Sequence, residues 1–167
     1  VSTAYELQKA GRKCILLEAH NIGFGTTGGT TAHINNFLDT TYYEAIRKFG
    51  FDDAKLLYEA AVEAISVIKN NIEEHRIDCD YEEKIAQLFA LDDDQARQLD
   101  NIMQGAEKVG CKMRRIQEID FPIPFIKAVE IPGQAQFHPI KYIDALSRIF
   151  LNLGGTVVEN CLCKGHT

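Results

Sequence analysis

Val1-Ser2-Thr3-Ala4-Tyr5-Glu6-Leu7-Gln8-Lys9-Ala10-Gly11-Arg12-Lys13-Cys14-Ile15-Leu16-Leu17-Glu18 is the stretch that decides the fold. Val1, Ala4, Leu7 and Ala10 recur at helical spacing, with Ser2, Glu6, Gln8 and Lys9 between them. Gly11 stands where a helix C-cap glycine belongs, and Arg12 and Lys13 follow it. Cys14 to Leu17 is a short apolar run closed by an acid, the pattern of a parallel strand covered on both faces. Helix, short connection and buried strand make the second half of a βαβ unit. The spacing predicts that the first strand and its turn are missing ahead of Val1. In a dinucleotide-binding unit that turn carries Gly-x-Gly-x-x-Gly, and an acid about 20 residues on bonds the ribose hydroxyls. Glu18 is placed for that role; otherwise it merely ends a strand.

Outward from Glu18, residues 19–41 hold Gly23, Gly25, Gly28 and Gly29, then Thr26, Thr27, Thr30 and Thr31, then His33, Asn35 and Asn36. The segment has no periodicity, and a connection this long is either functional or a flexible surface loop. Glycines let backbone N–H groups approach a ligand, and threonine hydroxyls add bonds to phosphate or sugar oxygens.

The wider composition narrows the class. The chain has 167 residues, 46% hydrophobic and 25% charged, which suits one globular domain or one and a piece of another. Net charge is −6 with no dense Lys/Arg cluster, so a nucleic-acid surface is not expected. No apolar run reaches the roughly 18 residues of a membrane span. Five cysteines at irregular spacing argue against a disulfide framework and for a reducing, cytoplasmic setting.

In the middle of the chain, Tyr42 to Phe49 reads as a short helix ended by Gly50, and residues 52–75 as a long one with an apolar stripe. Ile85 to Leu91 reads as a strand. Asp92-Asp93-Asp94 opens a helix over Gln95–Val109, ended by Gly110; three adjacent acids point in different directions and suit a cap rather than a metal. Pro122, Pro124 and Pro132 are expected to cut the next region into short pieces, with separate strands over Ile126–Ile131 and Ala135–His138. His138 precedes Pro139 and reads as the close of that strand. Cys161, Cys163 and His166 lack a second ligand pair at zinc spacing, so no metal is expected there. No Gly-x-Ser-x-Gly, Walker or His-Glu-x-x-His motif is present.

Ala4-x-x-Leu7-x-x-x-Gly11, Leu16-Leu17-Glu18 and Gly23-Phe24-Gly25-Thr26-Thr27-Gly28-Gly29-Thr30-Thr31-Ala32 together resemble the N-terminal region of FAD-dependent oxidoreductases of the D-amino-acid oxidase and glycine oxidase superfamily. Gln136-Phe137-His138-Pro139, a following amphipathic helix and Gly154-Gly155-Thr156-Val157-Val158-Glu159 resemble that family's return into its FAD domain. The resemblance implies an α/β fold: a partial, Rossmann-like FAD-binding domain with a parallel sheet, and an inserted α+β substrate domain. It divides the chain into a partial FAD-binding part (1–41), a substrate-domain portion (42–138) and a return to the FAD-binding domain (139–167). It implies FAD held by Glu18, Ala19, Gly25, Thr26, Thr27, Gly28, Thr30, Thr31, Ala32, His33 and, through backbone, the segment at Cys163. Glu18 would meet the adenosine ribose, and Gly25 to Ala32 would run along the pyrophosphate.

Gly29-Thr30-Thr31-Ala32-His33 also resembles the dimethylglycine and sarcosine dehydrogenase branch, where a histidine carries a covalent flavin. Ala32 departs from that branch, which has an aromatic residue there. Ala135 to Pro139 and the Thr-rich loop resemble bacterial members that append an iron–sulfur domain. The reaction implied is oxidation of a C–H beside an amine, in an amino acid or secondary amine, by hydride transfer to flavin. No catalytic acid or base is assigned. The chain departs from the family in lacking the Gly-x-Gly-x-x-Gly turn and the C-terminal half. That leaves open a non-catalytic module that binds no flavin alone, with a homo-oligomer or a completing chain as its partner.

Overall fold

A computed structural model describes residues 1–165; His166, raised above as a metal ligand, and Thr167 lie outside the described residues. The chain forms two compact units, the first made of Val1–Ala32, Asn71–Tyr81 and Phe137–Thr167, the second of His33–Asn70 and Glu82–Gln136.

In the first unit, helix α1 (Ser2–Lys9) ends at Gly11, whose φ of +78° is open to glycine at no cost. Strand β1 (Ile15–Leu17) runs parallel to β6 (Thr156–Val158), with Ile15 opposite Thr156 and Leu17 opposite Val158. The parallel pairing matches the α/β expectation. The expected burial does not: Ile15 is 69% and Leu17 49% exposed. Among the described residues β1 pairs only with β6, so its other edge and its outer positions have nothing to pack on. Helix α5 (Pro139–Asn152) buries Tyr142, Leu146 and Phe150. Gly155 sits on the Phe150 ring, where a Cβ would lie 2.3 Å from the ring edge. Gln8 ties the ends of α1, α5 and β1 together, donating to the Leu153 carbonyl at 2.9 Å and accepting from Cys14 N–H at 3.0 Å. Tyr5, fully buried, places its hydroxyl 2.6 Å from His75 Nε2, and Asn71 donates to the Tyr142 hydroxyl at 3.2 Å.

In the second unit, helix α2 (Tyr42–Phe49) has the predicted bounds and begins in a capping box: Glu44 N–H donates to Thr41 Oγ1, and the Glu44 carboxylate takes Thr41 N–H. Helix α3 (Phe51–His75) carries on after Gly50; it belongs to this unit through Asn70. Helix α4 (Asp93–Val109) starts at Asp92, whose carboxylate accepts Gln95 N–H at 2.8 Å, so the acidic triplet is a cap as expected. Tyr42, Ala45, Ala54, Ala106, Val109, Cys111 and Ile131 form the main core. Gly105 lets α4 touch α2: a Cβ there would lie 2.2 Å from Tyr43 N.

The second unit's sheet is antiparallel and built on β5 (Lys127–Gln136). Strand β3 (Glu82–Ala90) pairs along one edge of β5; β2 (His33–Ile34) and β4 (Arg114–Ile116) share the other. Two expectations are corrected here. Residues 126–131 and 135–138 are not separate strands, because Pro132 does not break β5. It falls at the register shift between Lys84 and Ala86 on one side and between the ends of β4 and β2 on the other, where no ladder donor is called for. His138 does not close a strand: its Nδ1 accepts Lys141 N–H and it caps α5.

Candidate functional site

Glu18 follows β1 and is held from three directions. Its N–H donates to the Val158 carbonyl at 3.0 Å, and its own carbonyl accepts Cys161 N–H at 2.8 Å. Its Oε1 accepts His20 N–H at 2.9 Å. The side chain is therefore fixed by a local turn while Oε2 has no partner among the described residues. Glu18 and Ala19 are half-buried, so the carboxylate is presented from a rigid strand end and still reaches solvent.

The loop beyond is pinned before it becomes exposed. Asn160 N–H reaches the His20 carbonyl at 2.7 Å, and Ile22 N–H reaches Glu159 Oε1 at 2.8 Å. The His20 and Phe24 rings lie 4.2 Å apart. Gly23, at φ +86°, backs onto Ile140, whose Cδ1 would stand 2.6 Å from any Cβ placed there. Gly25–Thr27 then makes one 3-10 turn, with Gly28 N–H on the Gly25 carbonyl and Gly29 N–H on the Thr26 carbonyl, both at 3.1 Å. Gly25, Thr26, Thr27, Gly28, Gly29, Thr30 and Thr31 are all exposed. Ala32 takes a left-handed φ of +64°, steadied by its N–H on Thr30 Oγ1 and by Phe137 N–H on its carbonyl.

Thus Glu18, Ala19 and the Gly25–Ala32 loop share one unit, and the chain leaving β6 passes Glu18 at Cys161. Cys163 lies two residues on, exposed, its thiol 3.7 Å from the Gly165 carbonyl. His33 belongs to the second unit, where it opens β2 opposite Gln136 and is exposed. Sequence reading did not assign Glu159 or His20, the residues that tether the loop. Their signal is a contact 137 positions long in the case of Glu159. Among the described residues no three His, Cys, Asp or Glu side chains converge as a metal site, and no helix is long and apolar enough to cross a membrane.

The donor set suits a dinucleotide. A half-buried carboxylate at a parallel strand end accepts from vicinal hydroxyls. The loop beyond it carries no Lys or Arg between Glu18 and His33, so a diphosphate would be met by backbone N–H groups and threonine hydroxyls. The Cβ position of Gly25 faces open space, leaving room for close approach.

A parallel strand pair with an acid at its exit and a tethered glycine–threonine loop is an arrangement that dinucleotide-binding proteins use. The model of the FAD dependent oxidoreductase family (DAO) matches residues 1–166, and the chain belongs to that family, whose cofactor is FAD. The chain is 36% identical over 159 residues to the "Putative Rieske 2Fe-2S iron-sulfur protein YhfW" of Bacillus subtilis (strain 168), covering 95% of this chain and 31% of that protein. Among solved structures it is similar to L-proline dehydrogenase from P. horikoshii, with a TM-score of 0.73 at 17% identity over 98% of this chain and 42% of that one. Glycine oxidase from Geobacillus kaustophilus has a TM-score of 0.70 at 16% identity, over 94% and 42% of the two chains. The chain spans about a third of the length of the curated relatives it matches.

Proposed function

We propose that these residues hold the nucleotide portion of FAD in an oxidoreductase that oxidises a C–H beside an amine, in an amino acid or a secondary amine. The observation that carries the reading is the fixed Glu18 carboxylate next to a loop clamped by Glu159, within a chain of an FAD-dependent family. Glu18 accepts the ribose hydroxyls. Gly25, Thr26, Thr27, Gly28, Thr30, Thr31 and Ala32 line the pyrophosphate, His33 lies toward the flavin ring, and the backbone at Cys163 meets the adenine. Residues 1–41 and 139–167 serve the cofactor, and 42–138 serve the substrate. When bound, FAD supplies the hydride acceptor, and the protein supplies orientation and electrostatics. The amine class is supported by the names of similar structures, a proline dehydrogenase and a glycine oxidase. Five free cysteines, all among the described residues, support a reducing, cytoplasmic setting.

The test is anaerobic mixing of the full-length flavoprotein with a panel of glycine, sarcosine, proline and other amino acids. Bleaching of the visible flavin bands by at least one amine is expected; a panel that leaves the spectrum unchanged overturns the substrate class. In acid precipitation, yellow colour that stays in the pellet and is lost in His33→Ala identifies a covalent bond at His33, and free FAD in the supernatant excludes it. The YhfW likeness favours a second point, that electrons pass to an iron–sulfur acceptor. Stoichiometric hydrogen peroxide during turnover in air would overturn it.

A further inference from the structure

We propose that the side chains of His20 and Phe24 form an aromatic wall for the adenine ring of the cofactor, an assignment that rests on the flavin reading above. His20 supports the loop through its main chain: its N–H donates to Glu18 Oε1 at 2.9 Å, and its carbonyl accepts Asn160 N–H at 2.7 Å. Neither bond calls for an imidazole. The ring packs on Phe24 instead, with centroids 4.2 Å apart and planes tilted by 38°. Phe24 closes a turn, its N–H on the Asn21 carbonyl at 3.0 Å, and is itself 60% exposed. His20 is exposed too, and among the described residues its ring meets no aromatic ring but that of Phe24. Two rings are thus held open to solvent on a backbone tied down at His20, Ile22 and Phe24.

Position selects the ligand. With the ribose hydroxyls on Glu18, the base attached to that ribose lies beside His20, whose N–H holds the same carboxylate. The Asn160 bond brings the chain that runs on to Cys163 alongside His20 as well. A base there has a ring face on one side and main chain at its edge. Stacking on an aromatic side chain suits any base, because every base has a π-face. Phe24 backs the other face of the imidazole, so His20 is steadied before the base arrives and loses little freedom on binding. Between Glu18 and His33 the sequence holds no other aromatic residue and no Lys or Arg, so these two rings are what the loop can offer a base.

Titration of the full-length apoprotein with FAD, ADP and FMN tests it, FMN being the ligand without adenine. His20→Ala is expected to weaken FAD and ADP alike, by about five- to a hundredfold, the range of one base–aromatic stack, and to leave FMN unchanged. His20→Phe keeps a flat ring and should bind ADP like the parent. His20→Leu keeps bulk without a π-face and should bind ADP as poorly as the alanine variant. Phe24→Ala removes only the backing and should weaken ADP less than His20→Ala does. All four variants keep the His20 N–H, and with it the Glu18 turn, so the melting temperature of the apoprotein should hold. Unchanged ADP affinity in His20→Ala, an equal loss of FMN, or full ADP binding by His20→Leu overturns the proposal and leaves the flavin reading standing. A parent apoprotein that takes up neither FAD nor ADP overturns both.

Discussion

Glu159 accepts the Ile22 N–H at 2.8 Å, so the residue that follows β6 also fixes the loop that leaves β1. The same strand pair that sets the register of Glu18 therefore sets the path of the glycine–threonine segment. Glu159→Ala removes the acceptor and frees the loop; FAD affinity of the full-length protein should fall about tenfold, the effect of one lost charge-assisted bond. Glu159→Gln keeps an oxygen at the position and should retain most of the affinity. Fluorescence titration of the apoprotein with FAD measures both.

Glu18 allows its two oxygens to be separated. Glu18→Gln can still accept His20 N–H through the retained oxygen, so the local turn survives. The negative charge offered to ribose hydroxyls is lost. FAD affinity should drop by roughly ten- to a hundredfold, as for hydrogen bonds to charged groups, with the melting temperature of the apoprotein unchanged. A variant that binds FAD as tightly as the parent would remove Glu18 from the cofactor site.

Gly105→Ala tests the α2–α4 contact. A Cβ 2.2 Å from the Tyr43 backbone nitrogen must push the two helices apart, since backbone cannot swing away as a side-chain tip would. A loss of about 1–3 kcal/mol is expected from overpacking, measured by urea unfolding. Gly29→Ala is the control: its nearest neighbour would lie at 3.9 Å and its φ is not positive, so stability should hold.

Alkaline pH should weaken the second unit's core. Burial pushes the Cys111 thiol up to about 11 from an ordinary value of 9.0, and burial also raises Tyr42 and Tyr58 beside it. A raised folded value means that the neutral thiol stabilises the fold fully below pH 9, and that this contribution is lost between about pH 9 and 11 as the unfolded thiol ionises. Chemical unfolding across that range should show the decline, and Cys111→Ala should flatten it.

Much of this was legible in the residues, for physical reasons that differ by element. Gly11, Gly50 and Gly110 each mark a helix end with positive φ, and Asp92 caps α4, because capping is a short-range rule read within four residues. That β1 is a strand was readable from its short apolar run, but its pairing with β6 and its exposure were not, since these depend on what lies across each edge of β1. Strand β2 escaped because two residues, His33 and Ile34, are too few to show alternation. Pro132 misled because a proline's effect on a strand depends on whether a partner needs its N–H, which only the register reveals. At the site, Glu18 and the loop glycines stood out by spacing. Glu159 did not, because a tether between residues so far apart leaves no local pattern.

Pro132 has a consequence for the behaviour of the chain at high concentration. Between β4 and β2, no strand among the described residues pairs with this edge of β5 over residues 131–134, and Pro132 and Gly133 are exposed there, a place where a strand from another molecule could add. Pro132 has no N–H to offer there, Gly133 turns the backbone at φ +78°, and Gln134 spends its side chain bridging the Asn36 amide and the Pro132 carbonyl. The gap is shielded against intermolecular sheet growth by the same residue that looked like a break in the strand.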